Sequence, residues 1–146
     1  MPFLAGPALD LAAVPSPDGR LIAYLSMTWR TAGSPEIMLR RFPAGDERWQ
    51  VSASGGWWPR WSRDGTRIFY VTSEAMYEVA VRASAAGVEL SRPRRLFSRP
   101  VPADAHGPDG FDVAADGRFL VLDREAPPRE RMATIVLNWS PPRAGS

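Results

Sequence analysis

The sequence predicts an all-β fold, and three observations carry that expectation. One short unit occurs three times, each copy joins an Asp-Gly turn to an apolar run of strand length, and no helical pattern follows any of the turns. The first copy is Val14-Pro15-Ser16-Pro17-Asp18-Gly19-Arg20-Leu21-Ile22-Ala23-Tyr24-Leu25-Ser26. The second is Pro59-Arg60-Trp61-Ser62-Arg63-Asp64-Gly65-Thr66-Arg67-Ile68-Phe69-Tyr70-Val71. The third is Phe111-Asp112-Val113-Ala114-Ala115-Asp116-Gly117-Arg118-Phe119-Leu120-Val121-Leu122. The Asp-Gly pairs begin at Asp18, Asp64 and Asp116, so the period is 46 and then 52 residues.

Each unit reads as a strand, a tight turn and a returning strand. Asp18, Asp64 and Asp116 suit the turn because a short carboxylate side chain bonds the local backbone. Gly19, Gly65 and Gly117 supply the positive φ that lets the second strand leave in register. A catalytic Asp or a phosphate-cradling Gly loop is the weaker reading, since the latter needs a helix N-terminus after the turn.

The returning strands Leu21–Leu25, Ile68–Val71 and Phe119–Leu122 are apolar at every position. Successive strand side chains point to opposite faces, so such strands are expected to be buried on both sides. Hairpin-linked strands buried on both sides imply stacked sheets, each between two neighbours. That arrangement favours blades of a β-propeller over a simple sandwich.

A third strand is expected in each unit, over Glu36–Phe42, Met76–Arg82 and Ala133–Trp139. Tyr77, Val79 and Val81 alternate, which argues against the competing helix from Glu74 to Ala86. Outer strands are expected at Arg48–Ser52 and Arg94–Phe97; the third unit runs into Pro141-Pro142 one strand short. The expected division is therefore one partial propeller domain over 1–146. It has about three four-stranded antiparallel units near 11–52, 57–98 and 109–139, an outer-strand segment over 1–10 and a tail over 140–146.

Composition excludes several kinds of chemistry. There is no Cys, so disulfides, thiolate nucleophiles and Cys-ligated zinc are ruled out. All 18 basic residues are Arg, which removes a Schiff-base lysine, a Walker-type lysine and a Ser–Lys dyad. A net charge of +2 spread along the chain makes no concentrated patch for nucleic acid. No segment reaches the roughly 18 apolar residues of a membrane span. The N-terminus lacks the basic region of a signal peptide, so a cytoplasmic location is the expectation for the chain as written.

Three places merit attention as sites. The single histidine, His106, lies with Asp104, Asp109 and Asp112 in a spacing that matches no EF-hand or zinc motif; a solvated loop is expected, with no metal and no cofactor. No Ser sits in a nucleophile elbow that His106 would serve. Trp57-Trp58-Pro59-Arg60-Trp61 is the densest aromatic segment. Trp61 fits a core position, while Trp57, Trp58 and Arg60 are the residue types of an interaction surface as well as of packing between sheets. Arg92-Pro93-Arg94-Arg95 reads as edge protection, charge and Pro on an outer strand.

The aromatic, the Ser-Pro-Asp-Gly turn and the apolar strand resemble the TolB-like, WD-type β-propeller repeat across nearly the whole chain. The order of Arg40-Arg41-Phe42-Pro43, Arg48-Trp49-Gln50-Val51-Ser52, Pro59-Arg60-Trp61-Ser62, Arg94-Arg95-Leu96-Phe97 and Val136-Leu137-Asn138-Trp139 is similar to the C-terminal propeller blades of bacterial serine/threonine protein kinases and related sensor proteins. Pro15 in the aromatic position, Arg63 in the turn-Pro position and Ala114-Ala115 in place of Ser-Pro depart from the pattern. No His-Arg-Asp or Asp-Phe-Gly motif is present, so kinase activity does not carry over. The resemblance implies a non-enzymatic interaction or sensor module with a protein partner. The alternative is the propeller portion of a larger enzyme, a kinase sensor or a peptidase's gating propeller, extracytoplasmic in the first case. Three units form an open arc, and a homodimer of about six blades would close it, with Phe3-Leu4 completing the partner's third unit beside Thr134–Asn138.

Overall fold

The computed structural model describes residues 8–27, 34–43, 46–98 and 110–121. Among these there are eleven strands and no helix, and every strand pairing is antiparallel. No described helix is long and apolar enough to cross a membrane. The first sheet is a meander of β1 (Leu9–Pro15), β2 (Leu21–Met27), β3 (Glu36–Arg41) and β4 (Arg48–Gln50), in that order. The second begins the same way, with β5 (Trp57–Trp61), β6 (Arg67–Val71) and β7 (Ala75–Ser84). The segment with the competing helical reading is therefore a strand of ten residues.

The outer position of the second sheet differs from the single strand expected there. β8 (Gly87–Leu90) pairs the end of β7, and β9 (Arg94–Ser98) pairs its start. β6 occupies one edge of β7 from Met76 to Ala80, so β9, opposite Ala75–Glu78, lies on the other edge. Val81 N–H donates to Thr66 on the β6 side, and Ser91 N–H donates to the Ala80 carbonyl on the opposite side. Neighbouring backbone groups point to opposite edges, which puts β8 and β9 in tandem on one edge. Pro93, without an N–H, lies in the break between them. A third hairpin, β10 (Phe111–Val113) with β11 (Phe119–Val121), completes the described chain. The expected strand at Ala133–Trp139, Phe3-Leu4 and the loop holding Asp104, His106 and Asp109 lie outside the described residues.

The sheets stack face to face. Leu21, Ala23, Leu25, Ile37 and Leu39 of the first sheet meet Trp61, Ile68, Tyr70, Val79 and Val81 of the second. On the far side of the second sheet, Phe69, Val71 and Met76 meet Phe111, with Phe119, Val113 and Val121 packed around them. Leu21–Leu25 and Ile68–Val71 are buried at every position, because the strand alternates between two covered faces. Each Leu, Ile, Phe or Val among them contributes about 1.5–3 kcal/mol of transfer free energy. Trp61 ties the first two sheets directly: its Nε1–H donates to the Val14 carbonyl at 3.1 Å.

Two devices repeat at equal distances from the Asp. Six residues before it, Ala12 and Trp58 sit at φ +52° and +54°, each inside a register shift of its strand. These left-handed, non-glycine residues are β-bulges that bend the inner strand. In the turns, Gly19, Gly65 and Gly117 have φ of +69°, +72° and +83°.

The first two turns share one hydrogen-bond network. The Ser16 hydroxyl donates to Asp18 at 2.6 Å and accepts from Leu21 N–H at 2.9 Å, while Asp18 also accepts from Arg20 N–H. Ser62, Asp64, Thr66 and Arg67 repeat these bonds, and the Thr66 hydroxyl adds one more to Asp64. These bonds lower the Asp18 pKa and hold Asp64 down at about 2; in both cases the serine hydroxyl is the largest cause.

The third turn closes one residue earlier. Ser16 and Ser62 N–H reach the carbonyl five residues on, whereas Ala114 N–H reaches that of Arg118, four on. Ala114 has no hydroxyl to accept the next N–H. A one-residue change of register reverses the faces of the returning strand. Leu21, three residues after its Asp, packs forward onto the second sheet, while Phe119 in the same position packs backward onto it. Leu120 consequently points away from the stack and is 67% exposed, which corrects the expectation that this strand is covered on both faces.

Candidate functional site

The inner strand β5 carries the aromatic segment singled out in the sequence. Trp57 and Trp58 are half-buried, with ring centroids 6.5 Å apart, and both pack against the cluster that joins the second sheet to the third hairpin. Trp57 also reaches the first cluster, so it spans both seams. Arg60 lies across the second seam. Its guanidinium is 5.8 Å from the Phe111 ring centroid and 3.9 Å from an Asp112 carboxylate oxygen, and it donates to the Pro59 carbonyl. These three candidates thus stand together at an internal joint, each partly reachable from solvent. Asp18, Asp64 and Asp116 stand in the exposed turns, where their carboxylates are engaged with local backbone.

The stacked turns and sheets leave two clefts. One, of about 750 Å³, opens between the second and third Asp-Gly turns. Phe69 and Phe119 meet edge-on at 5.0 Å in its wall, and Glu78 receives two bonds from Arg94 at 2.7 and 2.9 Å. Its acidic and basic side chains are balanced, with Arg63, Arg67 and Arg94 opposite Asp64, Glu78 and Asp116.

The other cleft, of about 630 Å³, lies where the linker between the sheets passes the β6–β7 turn. A network pins that linker. The Ser52 hydroxyl accepts from Ile37 N–H at 2.9 Å and donates to Glu36, and Gly55 N–H donates to the same carboxylate oxygen. Gly56 follows at a place where a Cβ would stand 2.7 Å from the Tyr70 ring and 2.9 Å from Ile37, so only glycine passes there. Tyr70 is buried, and its ring lies parallel to that of Tyr77 at 5.5 Å and 12°. Burial, and then Tyr77, push the Tyr70 hydroxyl up to about 12; the backbone of Ala53 opposes this in part. Tyr77, half-buried, forms an aromatic wall of the cleft together with Tyr70.

The first sheet treats the equivalent place differently. Tyr24 and Tyr70 both lie six residues after their Asp, and Asp10 stands where the second unit has Gly56. The Tyr24 hydroxyl and one Asp10 carboxylate oxygen are buried and lack a hydrogen-bond partner among the described residues. Burial raises the Tyr24 pKa.

Sequence reasoning did not single out Tyr70, Tyr77, Glu74 or Arg92 as a group. The period-two placement of Tyr77 was visible, but its meeting with Tyr70 depends on the β6–β7 register, and the approach of Arg92 depends on the break in the outer edge. Among the described residues no group of three or more His, Asp or Glu side chains could hold a metal ion. No family model matches this chain, and no curated protein matches it.

Proposed function

We propose that the chain is a run of TolB-like β-propeller units serving as a non-enzymatic interaction module that completes its ring with a second copy of itself. The observation that carries this reading is the stacking of two meander sheets with equivalent bulges at Ala12 and Trp58 and equivalent turns at Asp18 and Asp64. Equal devices at equal positions are what a radial repeat requires, since each unit must present one face to its predecessor and the other to its successor. Arg60 extends the pattern, reaching forward from the second unit to Phe111 and Asp112 of the third. The outward Leu120 gives the third unit an apolar point for a further neighbour. Two copies bring about six units together, within the range of closed propellers, and cyclic two-fold pairing is the commonest symmetry.

Light scattering tests the assembly. The expected mass is about twice 16.1 kDa at micromolar concentration, reduced by Leu120→Asp. A well-folded monomer that small-angle scattering shows as an open arc would overturn the self-completing ring. A hydrolase or kinase activity that co-purifies with the chain and disappears on a single substitution within it would overturn the non-enzymatic reading.

A further inference from the structure

We infer that the cleft beside Tyr77 is a binding site for a pyranose ring. The inference rests on the second sheet and its linker and is independent of how many units share a ring. The cleft's volume of about 630 Å³ falls within the range of small-molecule sites. One wall is a plate that cannot easily tilt: Tyr77 is stacked on Tyr70, and Tyr70 is held from behind by the backbone at Gly56. A preorganised aromatic face costs little ordering when a ligand lands on it.

The polar lining selects the ligand class. Ser54, Ser73, Glu74 and Arg92 line the same cleft, and their side chains make no hydrogen bond or ion pair with a described residue. Glu74 offers only acceptors and Arg92 only donors, while each serine hydroxyl offers both. A pyranose matches both requirements, because every hydroxyl donates and accepts while its axial C–H face is apolar and lies flat on an aromatic ring. A proline-rich peptide would also use the aromatic wall, but its carbonyls are acceptors and leave Glu74 unanswered. A nucleotide's phosphate would meet Arg92 but would also stand against Glu74 in the same cleft, like charge to like, and would leave that carboxylate without a donor.

The test is an amide-resolved NMR titration of the full chain with the methyl glycosides of glucose, galactose, mannose and N-acetylglucosamine. The expected result is saturable shifts at the amides of residues 53–55, 72–77 and 92 for at least one of them, with a dissociation constant on the order of 1 mM. Tyr77→Phe keeps the plate and should hold the affinity within about twofold, while Tyr77→Ala should weaken it about tenfold or more. Since Tyr77 also packs on the core, Glu74→Gln and Arg92→Gln at exposed residues provide the independent arm; each should weaken binding about three- to tenfold. No saturable shift at these amides with any glycoside, or unchanged affinity in both exposed variants, overturns the inference. So does a site that answers only to a polyproline peptide or a nucleoside.

Discussion

The indole Nε1–H of Trp61 donates to the backbone carbonyl of Val14, 47 residues earlier and in the preceding sheet. Three residues before its Asp, Trp61 occupies the position that Pro15 takes in the first unit and Val113 in the third. It is 8% exposed and sits in the cluster between the sheets. Trp61→Phe should retain most of the packing and lose the bond, costing about 0.5–1.5 kcal/mol in urea unfolding. Trp61→Ala should cost about 3–5 kcal/mol, because a cavity is added to the lost contact. Equal costs for the two variants would show that the ring's packing adds nothing beyond the bond to Val14, and no cost in Trp61→Phe would show that the bond itself contributes nothing.

The glycine turns separate backbone strain from steric contact. A Cβ on Gly19 would meet nothing within 4 Å, while one on Gly65 would meet Pro17 of the neighbouring turn at 3.4 Å. Both residues have positive φ. Gly19→Val should cost at least about 1–2 kcal/mol from the left-handed backbone alone, and Gly65→Val more, since its branches must also displace Pro17. An unchanged melting temperature for Gly65→Val would contradict the turn conformation.

Acid stability should depend on Asp64. Its pKa is lowered to about 2 by Ser62 and then by the backbone and hydroxyl of Thr66. Unfolded, an Asp titrates near about 3.9. A depressed folded pKa contributes stability that is present above the unfolded value and lost as pH falls through the folded one. The melting temperature should therefore fall between about pH 4 and about pH 2, and the slope should be shallower in Asp64→Asn or Ser62→Ala. Identical acid profiles in parent and variants would refute the linkage.

The opposite limb belongs to Tyr70. Its hydroxyl titrates at about 12, raised chiefly by burial. A raised folded pKa means that stability is complete below the unfolded value, near about 10, and declines as pH climbs toward 12. Tyr70→Phe should flatten the alkaline decline in melting temperature. Absorbance near the tyrosinate band should rise at lower pH in urea than in buffer; a single titration common to both states would contradict it.

Ala114→Ser tests why the third hairpin is shifted. A hydroxyl there could accept the Phe119 N–H as Ser16 accepts that of Leu21. The expected outcome is pairing of Val113 with Leu120 instead of Phe119, read from cross-strand NOEs. Retention of the present pairing would place the cause elsewhere than in the missing hydroxyl.

Much of the local architecture was legible because short-range chemistry dictates it. The three Asp-Gly turns could be read from residue type, since few residues tolerate a positive φ and few side chains can bond the turn backbone. The burial of Leu21–Leu25 and Ile68–Val71 could be read as well, since an unbroken apolar run has no wet face to offer. The Tyr77, Val79 and Val81 alternation was enough to choose strand over helix. The aromatic segment and the core position of Trp61 were visible, but the turning of Trp58 toward the third hairpin was not, because the bulge that turns the strand is a backbone event without a residue signature.

Residue types alone thus dictate the antiparallel strands, the positions of the Asp-Gly turns and the double burial of Leu21–Leu25 and Ile68–Val71. Tertiary structure decided the rest. It divided the outer edge of the second sheet into β8 and β9, reversed the faces of β11, set Tyr77 on Tyr70 and brought Arg60 to Asp112. Each of these depends on register, and a strand's side-chain period of two makes register a discrete choice. That choice is made by contacts between strands far apart in the chain, such as the bond from Trp61 to Val14, which no local pattern of residues encodes.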